Sequence, residues 1–137
     1  MSDSTKFRNA ITNSARLAEQ DDYGRALEVV DEAIAEAVQL GENSWVKTLC
    51  HHGAVIARHI ENLELAKRYY EQSLASNQEN SRALYGLASV AREQGDLKAA
   101  KQYAVRCYQA LTQNDEDVLR EHWLDLLLKN WPEVAGK

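Results

Sequence analysis

The step from Ala66 to Ala100 recurs through the chain around it: from Ala54 to Ala88, from Ala57 to Ala91, from Leu63 to Leu97 and from Tyr69 to Tyr103. A fixed period of this length marks stacked helical hairpins, because one hairpin cannot bury its apolar face alone and must lean on the next. Such a stack offers a surface to a partner rather than a pocket for chemistry. The only proline is Pro132, so nothing in the interior prevents helix over nearly the whole chain.

Apolar spacing and turn residues predict seven helices. The first spans Ser4 to Gln20, with Phe7, Ala10, Ile11, Ala15, Leu17 and Ala18 at helical intervals. Asp21-Asp22 supplies a turn and an N-cap carboxylate. The second runs from about Tyr23 to Leu40, with Ala26, Leu27, Val30, Ala33, Ile34, Ala37 and Val38 inward, and Gly41 ends it as a left-handed cap. Asn43 or Ser44 caps a third helix reaching about Ile60, and Asn62 a fourth reaching Ala75. Asn80 or Ser81 opens the fifth, through Gln94, and Gly95-Asp96 turns the chain into the sixth, through Leu111. Asn114 to Asp117 is an acidic helix start, favoured by the macrodipole, for a seventh helix ending near Asn130. Short connections make neighbours antiparallel. No linker rich in Gly, Pro or Ser divides the 137 residues, so the expectation is one domain over 1–137.

Charge excludes some partners. The formal net charge of −5, with no run of Lys and Arg, disfavours nucleic acid. No apolar stretch is long enough to span a membrane. The polar start, Met1 to Ala10, lacks a signal-peptide core, which points to the cytoplasm. Cys50 and Cys107 fall on apolar helical faces and read as small buried hydrophobes.

Cys50, His51, His52 and His59 are the one group with metal-ligand chemistry. Adjacent helical residues point about 100° apart, and His52 and His59 stand two turns apart, about 10 Å. Zinc ligands on a helix sit three or four residues apart, so no metal and no cofactor are expected. Neither a Gly-rich phosphate loop nor a Gly-x-Ser-x-Gly elbow occurs, and the paired carboxylates sit at helix starts, where capping explains them. The chain is expected not to be an enzyme.

The repeats resemble the tetratricopeptide repeat. Its pattern positions, large apolar as well as small, fall on Leu84, Leu87, Ala88, Ala91, Ala100, Ala104 and Cys107 in one repeat, with Gly95-Asp96-Leu97 at the turn. In the repeat before it they fall on Gly53, Ala54, Ala57, Ala66, Tyr70 and Ser73, and in the first on Asn13, Ser14, Leu17, Ala26, Val30 and Ala33. Ala54, Ala88, Ala66 and Ala100 fit places where two helices cross closely; Leu63, Leu97 and Tyr70 would fill gaps toward the next hairpin. Two departures stand out. Gln78 and Thr112 occupy the terminal-proline places, and the step from Ala26 to Ala66 is longer than the step from Ala66 to Ala100, an excess read as extra turns on the second helix. The resemblance implies an all-α fold: a right-handed superhelix of three antiparallel hairpins, repeats 5–42, 44–78 and 80–112, plus a C-terminal capping helix over 114–131.

It also implies a function: a non-catalytic adaptor that binds a peptide or protein segment in a concave groove lined by the first helix of each hairpin. By position the groove would show Arg8, His51, His52, Val55, Arg58, Arg82, Tyr85, Ser89 and Arg92. Arg58 and Arg92 are equivalent, one repeat apart, and would lie side by side. Paired guanidinium groups favour an acidic partner, with Tyr85 as an aromatic anchor. A clamp for a chaperone's terminal carboxylates is not expected, because Ile11, Ala15 and Gly86 stand where that sub-family carries polar and basic residues. The alternative is a self-associating scaffold that forms a homodimer through Trp123, Leu124, Leu127 or Leu128 on the apolar last helix; that helix could instead fold into the groove.

Overall fold

The computed structural model describes residues 4–76, 80–113 and 119–135. The described residues form seven α-helices and no strand: α1 (Ser4–Glu19), α2 (Tyr23–Gln39), α3 (Asn43–His59), α4 (Leu63–Ser76), α5 (Ser81–Glu93), α6 (Leu97–Gln113) and α7 (Arg120–Asn130). A short 3-10 turn, Pro132–Ala135, follows α7. Contacts group the chain into two compact units, Met1–Ser76 and Asn77–Lys137. In the first, α1 pairs with α2 and α3 with α4, while α3 also packs on α2 and touches α1. In the second, α5 pairs with α6, and α7 and the 3-10 turn pack on α6.

One turn geometry is used four times. Asp21, Gly41, Glu61 and Gly95 all have positive φ, between 59° and 84°. Behind each, the next residue's N–H reaches back to a helix carbonyl: Asp22 to Leu17, Glu42 to Ala37, Asn62 to Ala57 and Asp96 to Ala91, at 2.8–2.9 Å. The positive-φ residues themselves donate to Ala18, Val38, Arg58 and Arg92. This double closure is the Schellman cap, which satisfies the last carbonyls of a helix. Glycine adopts the left-handed conformation without strain; Asp21 and Glu61 carry a Cβ against it.

The N-caps divide. Asn62, Asn80 and Asp96 accept from the N–H groups of Leu65, Ala83 and Ala99, at 3.1, 3.4 and 3.1 Å. Asp22 holds the N-cap place without a side-chain cap bond and pairs instead with Arg25. Glu42, not Asn43 or Ser44, precedes α3, and it too makes no cap bond. The expected acidic start at Asn114 to Asp117 lies outside the described residues.

Small residues sit where helices cross. Ala54, Ala66, Ala88 and Ala100 are all buried. Gly53 shows why size matters there: a Cβ on it would meet the Tyr69 ring at 2.8 Å. Tyr69 is fixed from its other end by a 2.6 Å hydrogen bond to Asp31 of α2, and burial with that bond pushes its phenol pKa up. Cys50 and Cys107 are free and buried, and burial pushes the Cys50 thiol up to about 12, so it stays protonated.

Three expectations need correction. Val38 is 52% and Leu97 68% exposed, because each lies at a helix end beyond its packing neighbours. Leu63 is only half-buried. The extra length does not fall on the second helix alone: α2 and α3 have 17 residues each against 14 in α4 and 13 in α5. The excess is thus shared between both helices that flank the Gly41 turn.

Candidate functional site: the outward faces of the first helices

The first helix of each hairpin is basic. α1, α3 and α5 carry Lys6, Arg8, Arg16, Lys47, Arg58, Arg82 and Arg92 against only two carboxylates, Glu19 and Glu93. α2 is the reverse, with Glu28, Asp31, Glu32 and Glu36 against Arg25. α6 is basic as well, with Lys98, Lys101 and Arg106 and no carboxylate, so within a chain of net charge −5 the first helices are marked by their shortage of carboxylates rather than by a monopoly of cations.

In the first unit this face belongs to α1 and α3. Phe7 and Trp45 join the two helices near their starts, ring centroids 5.5 Å apart, and the Trp45 indole donates to Ser4. Further along, Ser14 Oγ lies 2.8 Å from His52 Nε2. The Ser14 hydroxyl donates to the Ile11 carbonyl at 3.0 Å, so its oxygen is left to accept from the imidazole N–H. Burial lowers the His52 pKa. His52 is thus half-buried and engaged with α1. Of the other expected groove residues in this unit, Arg8 is exposed, His51 and Arg58 are half-buried, and Val55 is 51% exposed. His59 lies against Tyr23 with the rings tilted at 46°, 5.7 Å between centroids.

In the second unit the outward face of α5 is partly covered: Arg82 and Tyr85 are half-buried and Arg92 stays exposed. Tyr85 is flanked by Trp123 and Trp131, with centroids at 5.5 and 5.9 Å and edge-to-face geometry. Arg82 lies over the Trp123 ring at 5.6 Å and Arg92 over the Trp131 ring at 4.5 Å, both within cation–π range. Asn130 completes the contact: its Nδ2 donates to Tyr85 Oη at 3.2 Å, and its Oδ1 accepts from both Arg92 terminal nitrogens at 3.4 Å. Ser89 is half-buried.

The geometry of α7 follows from its ends. Arg120 Nε donates to the Leu111 carbonyl at the end of α6, at 2.7 Å, tying the start of α7 there. At the other end Trp131 precedes Pro132, which disfavours helix, and it leaves helical geometry at φ −136° and ψ 67°. That departure accompanies its ring's position against Tyr85. Leu127 is fully buried inside this unit, so it cannot meet a second copy, which corrects its place in the expected dimer contact. Trp123, Leu124 and Leu128 are half-buried, and Trp123 faces Tyr85 rather than solvent alone.

Arg58 lies in the first unit and Arg92 in the second, and each has its own surroundings. Sequence reasoning missed Ser14 and Asn130. A local cue existed for Asn130: it stands in the helix-ending triplet Asn130-Trp131-Pro132. Among the described residues no three His, Cys, Asp or Glu side chains gather as a metal site, and no helix is long and apolar enough to cross a membrane. An open cleft of about 330 Å³ between α1 and α2, lined by Lys6, Asn9, Asn13, Glu32 and Glu36 among others, contains none of the expected groove residues.

The comparisons with known proteins support the fold. No protein-family model matches the sequence, and no curated protein does. The structure is similar to the C-terminal TPR-containing domain of an FK506-binding protein of Plasmodium falciparum, with a TM-score of 0.60 and 16% identity, covering 100% of this chain and 97% of that one. The chain therefore has a tetratricopeptide-type fold, an all-α helical repeat.

Proposed function

We propose that the chain is a non-catalytic protein-interaction module, acting in the cytoplasm, whose first-helix faces hold an acidic peptide or protein segment. The observation that carries this reading is the shortage of carboxylates on the first helices: seven cations and only two carboxylates on α1, α3 and α5 within an acidic chain. Binding would use no bond making, on a face that is preformed in the first unit and carries the 119–135 segment in the second. Arg8 and Arg58 would hold carboxylates in the first unit, with the exposed Val55 supplying apolar contact; Arg82 and Arg92 would do so in the second, with Tyr85 as the ring. Guanidinium groups suit this because they meet a carboxylate through two parallel hydrogen bonds. The tetratricopeptide-type fold supports the general class, since its stacked helices are a scaffold for contact surfaces.

The test is a screen of the full chain against an array of random peptides. Hits should be rich in Asp and Glu and should weaken with salt. Arg8→Glu with Arg58→Glu should weaken them about tenfold or more at unchanged melting temperature. Hits with no acidic enrichment would remove the acidic partner, and an absence of hits would count against the module itself.

A further inference from the structure

The segment that covers α5 fits it imperfectly. Arg92, a full positive charge, is met by a neutral amide oxygen at 3.4 Å, the long end of a hydrogen bond, and by a ring face. The Trp123 indole N–H is buried and finds no hydrogen-bond acceptor among the described residues. Of residues 119–135 only Leu127, Trp131 and Val134 are buried. Trp123 and Asn130 are two helical turns apart, so one helical segment delivers both groups to Tyr85 and Arg92. A carboxylate at the place of the Asn130 amide would turn a weak charge–dipole contact into a charge-assisted pair.

We propose that residues 119–135 are an in-cis placeholder on α5, displaced by a partner helix that brings an aromatic ring to Tyr85 and a carboxylate to Arg92. This rests on the reading of the first-helix faces as holders of acidic segments, and it names what the α5 face selects. The placeholder competes as a tethered ligand at high effective concentration, so the intact chain holds such a partner less tightly than its contacts alone allow. Loosening the placeholder raises affinity without adding any contact.

The probe is a fluorescein-labelled synthetic peptide with the sequence of residues 119–135 and the change Asn130→Asp, titrated by anisotropy into full-length proteins. The Trp131→Ala protein should bind it about tenfold more tightly than the wild type. Asn130→Ala, which removes the amide contacts and leaves both indoles, should move affinity the same way by about threefold and keeps the test valid if the tryptophan variant unfolds. The same peptide with asparagine retained should bind the variants more weakly than the aspartate form, and Arg92→Gln in the Asn130→Ala protein should erase that difference. Equal affinity for wild type and Asn130→Ala protein, or no binding to either, would overturn the proposal. Array hits that survive this failure and still depend on Arg8 and Arg58 would leave the general reading standing.

Discussion

His51, Val55 and Arg58 on α3 and Tyr85, Ser89 and Arg92 on α5 occupy equivalent places, one repeat apart, yet their surroundings differ. On α3 the neighbour is α1, which meets it through Phe7 and the small polar Ser14, and Val55 is left 51% exposed. On α5 the neighbour is the segment after α6, which brings two indoles and an amide to Tyr85 and Arg92. Repeat register decides which side of a helix a residue takes. It does not decide what comes to rest on that side; the neighbouring helix does, and here one presents a serine and the other a pair of tryptophans.

The strongest way to break this contrast is Trp131→Ala. The ring is 5% exposed and touches Tyr85 and Arg92, so its loss should cost about 3 kcal/mol in urea unfolding. Faster amide exchange should be confined to α5, α6 and α7; equal acceleration over residues 4–76 would contradict the separate surroundings.

Next is Gly53→Ala, on the inner side of α3. Helix propensity alone favours alanine by about 1 kcal/mol. The 2.8 Å approach to a Tyr69 ring that is held by Asp31 opposes it, and overpacking should win, for a net loss of about 2 kcal/mol. A gain in stability would show that the ring yields freely.

His52 sharpens the α3 side. Its folded pKa lies below the ordinary 6.5, so on acidification the unfolded chain takes up that proton first. The unfolded state then binds more protons, and the His52 share of stability falls as pH drops through about 6.5, down to the folded pKa. His52→Gln should flatten the dependence of the urea midpoint between pH 7.5 and 5.5; an unchanged slope would mean the Ser14 contact leaves the imidazole solvated. The smallest effect is expected from Glu61→Gly at the end of α3. Removing the Cβ from a φ of 59° should add about 0.5 kcal/mol, the relief of strain exceeding the entropy cost of glycine.

The repeating parts of the fold were legible in the chain. Ala54, Ala66, Ala88 and Ala100 announced the crossings, and Gly41 and Gly95 announced two of the four left-handed turns. At Asp21 the turn was legible but its left-handed conformation was not, nor was that of Glu61, because the hydrogen bonds of the flanking helix ends impose it on residues that carry a Cβ. Val38 and Leu97 misled because periodicity cannot tell where a helix outruns its neighbour. The covering of α5 was least legible: Asn130 is far along the chain from both Arg92 and Tyr85, and nothing local links them.

The contrast between the two faces rests on the covering of α5, and side-chain NOEs in the full-length protein test that covering most directly. Cross-peaks are predicted from the Tyr85 ring protons to the indole protons of both Trp123 and Trp131. A Tyr85 ring without either indole cross-peak, in a protein whose helices are otherwise intact, would contradict the account.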